Sequence, residues 1–228
     1  MPLVSYGHAG IPLLMFPTAA ADYLEYERFQ LINWIQHYFE AGRVRAYSIN
    51  SVNRYSLLND GMPSAIKAEL LTRYDRYIMD EVLPLIRQDT GNWQAPIVTT
   101  GASLGGYLAA NVYFRHPDQL AGTIAMSGTY DVRRYFGGYY DDNVYFNNPV
   151  DYLASLNDDY HLPLLRRARA IFLLTGQGAY EDPRLSRHLS EVLSAKGIPH
   201  TLDMWGHDVS HDWPWWCKML DHYISKIA

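Results

Sequence analysis

A chain of 228 residues, 48% hydrophobic and 19% charged, is ordinary for a globular protein and long enough for one sizeable core, so a single domain over residues 1–228 is expected. Its formal net charge of −5, with no run of Lys or Arg, removes the electrostatic basis for binding nucleic acid or an anionic membrane surface. A small neutral ligand fits that charge better, and the 14% aromatic content, with 19 Tyr and 6 Trp, suits the lining of a cleft.

In chain order, "MPLVSYGHAGIPLLMF" lacks the charged n-region and clean apolar stretch of a signal peptide, and no segment is long enough to span a membrane. A cytoplasmic location is the default expectation. The run "IPLLMFP" (11–17) reads as a buried strand closed by Pro17. The next segment, residues 21–42, reads as a helix, with Asp22 and Glu25 at capping-box spacing, Leu24, Leu31, Ile35 and Tyr38 on one face, and Gly42 as the stop. Residues 43–49 alternate as a strand, and Ser64 opens a long helical pattern that Pro84 bends and Gly91 ends. From there strand and helix alternate: strand 95–101, helix 104–116, strand 122–128, strand 169–176, helix 184–197, strand 200–206 and helix 212–227.

Such alternation predicts an α/β fold with a mostly parallel sheet and helices on both faces. Residues 128–165 break the pattern, aromatic and rich in Asn and Asp, and read as an irregular insertion near the active site that forms a lid or wall. Within it Asp131, Asp141 and Asp142 read as loop-ordering groups, because no spacing around them suits calcium or zinc. The one cysteine, Cys217, reads as a buried small hydrophobe in the last helix.

"TTGASLGGYLAAN" (99–111) carries the chemistry, because Gly101-Ala102-Ser103-Leu104-Gly105 is a G-x-S-x-G nucleophile elbow between a strand and a helix. Glycines flank Ser103 where a Cβ would strike a neighbour, and the turn pushes the hydroxyl clear of the sheet. The Leu104 N–H, in the first helical turn, can face an oxyanion with the helix dipole behind it. A second donor is expected in the loop after the early strand, at Thr18, Ala19 or Ala20, with Ala19 preferred.

Acid candidates Glu181 and Asp182 follow the strand 169–176, and His207 and His211 follow the strand 200–206, which gives the order Ser, acid, His. Pro183 holds Asp182 extended and Glu181 reaches one methylene further, so Glu181 is the preferred acid and Asp182 the alternative.

With these motifs the chain resembles the esterase branch of the α/β-hydrolases, the group containing esterase D, enterochelin esterases, bacterial feruloyl esterases and mycolyltransferases. The segments "GYYDDNVYFNNPVDYL" and "MFPTAAADYLEYE" also resemble a bacterial subgroup of esterase-family proteins, and the resemblance runs over nearly the whole chain. In that branch the catalytic histidine stands in a His-x-x-x-x-Trp segment, which His211 and Trp216 match and His207 does not. The resemblance implies an α/β-hydrolase three-layer sandwich and a serine esterase working through an acyl-enzyme, with Ser103, His211 and an acid at its centre, and the aromatic insertion, by narrowing the pocket, points to short acyl or aryl esters. No metal or organic cofactor is called for, the expected partner is a small-molecule ester, and self-association into a homo-oligomer stays open. An acyltransferase of the same fold and a non-catalytic ligand-binding relative are the alternatives. Two departures from the family pattern stand out: a short N-terminus, which predicts missing or reduced first antiparallel strands, and a long "GQGAYED" loop.

Overall fold

Alternating apolar residues organise the centre of the molecule, whose computed structural model describes residues 1–228. Along strand β2 (Ile11–Phe16), Leu14 and Phe16 point into one hydrophobic core while Leu13 and Met15 point into the other. The same period of two places Ala125 against Ile124 and Met126 in β5 (Gly122–Met126), and Leu173 against Phe172 and Leu174 in β6 (Ile171–Thr175). A sheet buried on both faces needs helices on both, and the connections supply them.

The sheet has seven strands in the order β1-β3-β2-β4-β5-β6-β7, where β1 is Leu3–Tyr6, β3 Val44–Ile49, β4 Val98–Ala102 and β7 Thr201–Met204. Every pair is parallel except β1 with β3, whose register runs from Leu3 opposite Ile49 to Tyr6 opposite Ala46. The antiparallel part of the sheet is the one edge strand β1. From β2 the chain crosses first to β3 on one side and later to β4 on the other, so the order reverses between β2 and β4. Loops leaving the carboxyl ends of such neighbours part and leave a crevice.

Residues 21–42 fold as three short helices rather than the one expected: α1 (Glu25–Arg28), α2 (Leu31–Trp34) and α3 (Gln36–Glu40). Gln30, in the left-handed region at φ 62°, breaks the run, and the Glu25 side chain turns to Thr18 instead of closing a capping box. The apolar face survives the breaks, because Leu31, Ile35 and Tyr38 are all buried.

The long pattern after Ser64 forms α4 (Ser64–Tyr77), a π-helical turn at Ile78–Val82, and α5 (Leu83–Thr90), which Gly91 ends at φ 64°. Pro84 gives no N–H to the preceding turn, and the π turn takes up the mismatch. The segment 128–165 is ordered in helical pieces rather than irregular: a 3₁₀ turn at Arg133–Phe136, α7 (Asp142–Phe146), α8 (Pro149–Ser155) and the start of α9 (His161–Arg166). Asp141 caps α7 by accepting the Val144 N–H, and Asp131 pairs with Arg133. The remaining helices are α6 (Leu104–Arg115), α10 (Pro183–Ala195) and α11 (Trp213–Ile224). No helix is long and apolar enough to cross a membrane. Cys217, in α11, is buried and free, and burial pushes its thiol up to about 11.

Candidate active site

Close backbone approach explains the glycines around Ser103. A Cβ on Gly101 would lie 2.3 Å from the Gly105 carbonyl oxygen, and one on Gly105 would lie 2.2 Å from that of Phe16, so neither position admits a side chain without backbone movement. Between them Ser103 adopts φ 56° and ψ −125°, a conformation a non-glycine residue holds only where its surroundings force it. Its N–H donates to the Met126 carbonyl at 2.9 Å, and its carbonyl accepts the Tyr107 N–H at 3.1 Å. Leu104 is the first residue of α6, so its own N–H has no acceptor within the helix.

The carboxylate comes from the loop after β6. Glu181 is 2% exposed at its side chain, and its Oε1 accepts the Ser127 hydroxyl. Its Oε2 accepts the Thr175 hydroxyl at 3.3 Å and lies 3.4 Å from His211 Nδ1. That Nδ1 has no hydrogen-bond partner, so the Glu181–His211 contact is an ion-pair distance without hydrogen-bond alignment. Burial works to raise the Glu181 carboxyl, but His211 and the Ser127 hydroxyl outweigh it and hold the carboxyl below its ordinary range.

Asp182 does a different job. It is extended, with φ −126°, as Pro183 requires, caps α10 through the Arg184 N–H, and forks to the Arg184 guanidinium through two contacts of 2.8 Å. It makes no hydrogen bond or ion pair with His211.

The long loop is fastened to the histidine loop by backbone hydrogen bonds. Gly178 N–H donates to Val209 at 2.8 Å, and His211 N–H donates to Ala179 at 2.9 Å. A Cβ on Gly178 would lie 2.7 Å from the Val209 carbonyl and 2.8 Å from that of His207, so the two loops need that glycine to pair so closely. Against the imidazole stands Trp216, edge to face with centroids 4.9 Å apart and planes at 88°. Its indole N–H donates to the Ser127 hydroxyl at 3.1 Å, completing a chain from Trp216 through Ser127 to Glu181. His207 is exposed and stands outside this arrangement.

Ser103, Leu104, Glu181 and His211 share one cavity of about 310 Å³ with Ala19. Ser103 and His211 face it together without a direct hydrogen bond, a contact that often tightens only around substrate. Of the three residues considered for a second donor, Thr18 is committed, because its N–H donates to Glu25 Oε2 at 2.7 Å and its hydroxyl to Oε1 at 2.6 Å. Ala20 lines a different depression. Ala19 remains, at φ 30° and on the cavity wall.

Ser127 and Thr175 are partners that the sequence reading does not single out. Both stand at the carboxyl ends of strands, and Ser127 is itself left-handed at φ 49°. That placement is the one local signal that could have marked them. From the insertion, Thr129, Arg134 and Tyr135 reach the cavity, while α7 packs on α4 and α8 on α6 and α10.

A mostly parallel sheet flanked by helices, with a serine on a strand-to-helix turn and a carboxylate and histidine on later loops, is an α/β-hydrolase. The family model described as "Putative esterase" matches residues 61–225, and the chain belongs to that family: its activity is the hydrolysis of carboxylic esters. A ferulic acid esterase structure superposes with a TM-score of 0.72 at 20% identity, covering 96% of this chain and 86% of that one. An S-formylglutathione hydrolase from Agrobacterium tumefaciens gives 0.70 at 12% identity, over 96% and 84% of the two chains. The S-formylglutathione hydrolase of Staphylococcus aureus gives 0.68 at 15% identity, over 97% and 82%. A search of the curated proteins returns no match.

Proposed function

We propose that Ser103 is the nucleophile of a serine esterase, with His211 as general base and Glu181 as the acid that orients it. His211 takes the Ser103 proton as the hydroxyl oxygen attacks the ester carbonyl, and then gives that proton to the departing alcohol. Water next attacks the acyl-serine, giving its proton to His211, and the carboxylic acid product leaves as His211 returns that proton to the Ser103 oxygen. Oxyanion stabilisation falls to the N–H groups of Leu104 and Ala19, which border the cavity from the carboxyl ends of β4 and β2. The substrates proposed are esters with short acyl or aryl groups, in keeping with a cavity near the lower end of the usual range for ligand sites.

The observation that carries this reading is Glu181, a buried carboxylate 3.4 Å from a histidine that faces the same cavity as a strained serine. A fluorophosphonate probe tests it. The folded protein should label at Ser103, and Ser103→Ala should lose both label and turnover. His211→Ala should lower turnover by about 10³-fold or more, while His207→Ala keeps most of it. Absence of labelling in folded protein, or the reverse ranking of the two histidines, overturns the assignment.

A further inference from the structure

The charged groups around the cavity are satisfied inside the protein with one exception. Glu181 is enclosed by Ser127, Thr175 and His211, and Asp182 is held in the fork of Arg184. Arg134, on the 3₁₀ turn of the insertion, has no carboxylate within ion-pair distance, although its neighbour Arg133 contacts both Asp131 and Asp151. What Arg134 has is Tyr135: it donates to the phenol oxygen at 2.8 Å, and its guanidinium lies 4.9 Å over the ring. Stacking of this kind fixes the plane of the guanidinium and leaves most of its N–H donors free.

An acidic protein thus presents, on the wall of a cavity whose own carboxylates are engaged by internal partners, a cation without an ion-pair partner. Also on the cavity lining is Tyr180, 94% exposed and left-handed at φ 63°, a conformation that a tyrosine does not choose by itself. It leaves an aromatic face in solvent next to Glu181, where an apolar body can lie.

Resting on the serine-esterase reading, we infer that the substrates are esters that also carry a carboxylate, and that Arg134 binds that carboxylate while Tyr180 covers the body of the molecule. A planar fork suits a carboxylate, and a single guanidinium balances a single negative charge. Arg134 is in this sense a specificity-determining residue, outside the proton transfers.

Two matched pairs of esters test the inference: 4-acetoxybenzoate against its methyl ester, with the charge on the alcohol side, and the mono-4-nitrophenyl ester of adipic acid against 4-nitrophenyl hexanoate, with the charge on the acyl side. In at least one pair the charged ester should have the higher kcat/KM, by about tenfold, through a lower KM, and added salt should shrink the ratio. In Arg134→Gln that ratio should fall to about one. A general loss of fold cannot move it, because both esters are read in one preparation. No preference in either pair, or a preference that survives Arg134→Gln, overturns the inference while leaving the esterase reading intact. Failure to hydrolyse all four esters together with no fluorophosphonate labelling of Ser103 overturns that reading, and the inference with it.

Discussion

Ser103 holds its φ of 56° because the elbow leaves no alternative: Gly101 and Gly105 are pressed against carbonyl oxygens on either side. Backbone strain of this sort costs about 1–3 kcal/mol, and glycine would relieve much of it. Ser103→Gly should therefore be inactive yet more stable, by roughly 1 kcal/mol, or roughly 2–4 °C in Tm for a chain of this size. A thermal melt showing no gain would mean that the serine side chain makes a compensating contact.

The two acidic neighbours at 181 and 182 separate by environment. Glu181→Gln should cost about 10³- to 10⁴-fold in kcat by leaving the imidazole without its orienting charge, whereas Asp182→Asn, which weakens a half-exposed cap and a surface fork, should keep most activity. A deep loss in Asp182→Asn alone would transfer the role. Stability adds an independent readout. The Glu181 carboxyl is held below its ordinary value in the folded state, so its contribution is present above about 4.5 and disappears as the pH falls through the folded value. The stability advantage of wild type over Glu181→Gln should accordingly shrink as the pH falls below about 4.5, as followed by urea midpoints.

Among the elements, those set by local sequence were legible and those set by distant partners were not. Strand β4, the glycines and helix α6 announce Ser103 within a dozen residues, and Asp182-Pro183 reads as a helix start because proline at the first position needs no N–H partner. The break at Gln30 has no such mark. It follows from Glu25, a buried carboxylate whose two oxygens hold Thr18, and from Tyr26, whose hydroxyl donates to the Phe16 carbonyl. The Trp216–Ser127–Glu181 chain likewise joins three segments far apart in sequence, and only the spacing from His211 to Trp216 hinted at it. The Glu25 clamp fixes the residue just before Ala19. Glu25→Ala would leave the buried Thr18 N–H without an acceptor, at a cost of about 1–3 kcal/mol, and free the loop that carries the proposed second oxyanion donor. Loss of a whole donor costs about 10²–10³ in kcat, so a loosened one should cost roughly tenfold or more, with KM changed much less. An equal fall in stability with kcat intact would reduce Glu25 to a structural role.

At the scale of the molecule, the reversal of strand order between β2 and β4 decides where chemistry can occur, because it parts the Ala19 loop from the Ser103 turn and opens the cavity between them. The insertion closes only one side of that space. Its first residues reach the cavity, while α7 and α8 pack on α4, α6 and α10, and Phe146, Tyr152 and Leu156 line a separate groove. A cavity of about 310 Å³ bounded by Leu58, Leu185 and Tyr135 leaves little length for an acyl chain beyond the carbonyl. Each methylene that a pocket cannot place is worth about 1–3 kcal/mol, or ~10–200-fold in discrimination. Across 4-nitrophenyl esters from acetate to palmitate, kcat/KM should therefore be greatest at acetate or butyrate and fall by at least about tenfold at octanoate. Leu185→Ala, which shortens a wall on the first turn of α10, should move the optimum to longer chains. A rate that climbs steadily to palmitate would place the acyl chain outside this cavity, and an unchanged profile in Leu185→Ala would assign the length limit to Leu58 and Tyr135 instead.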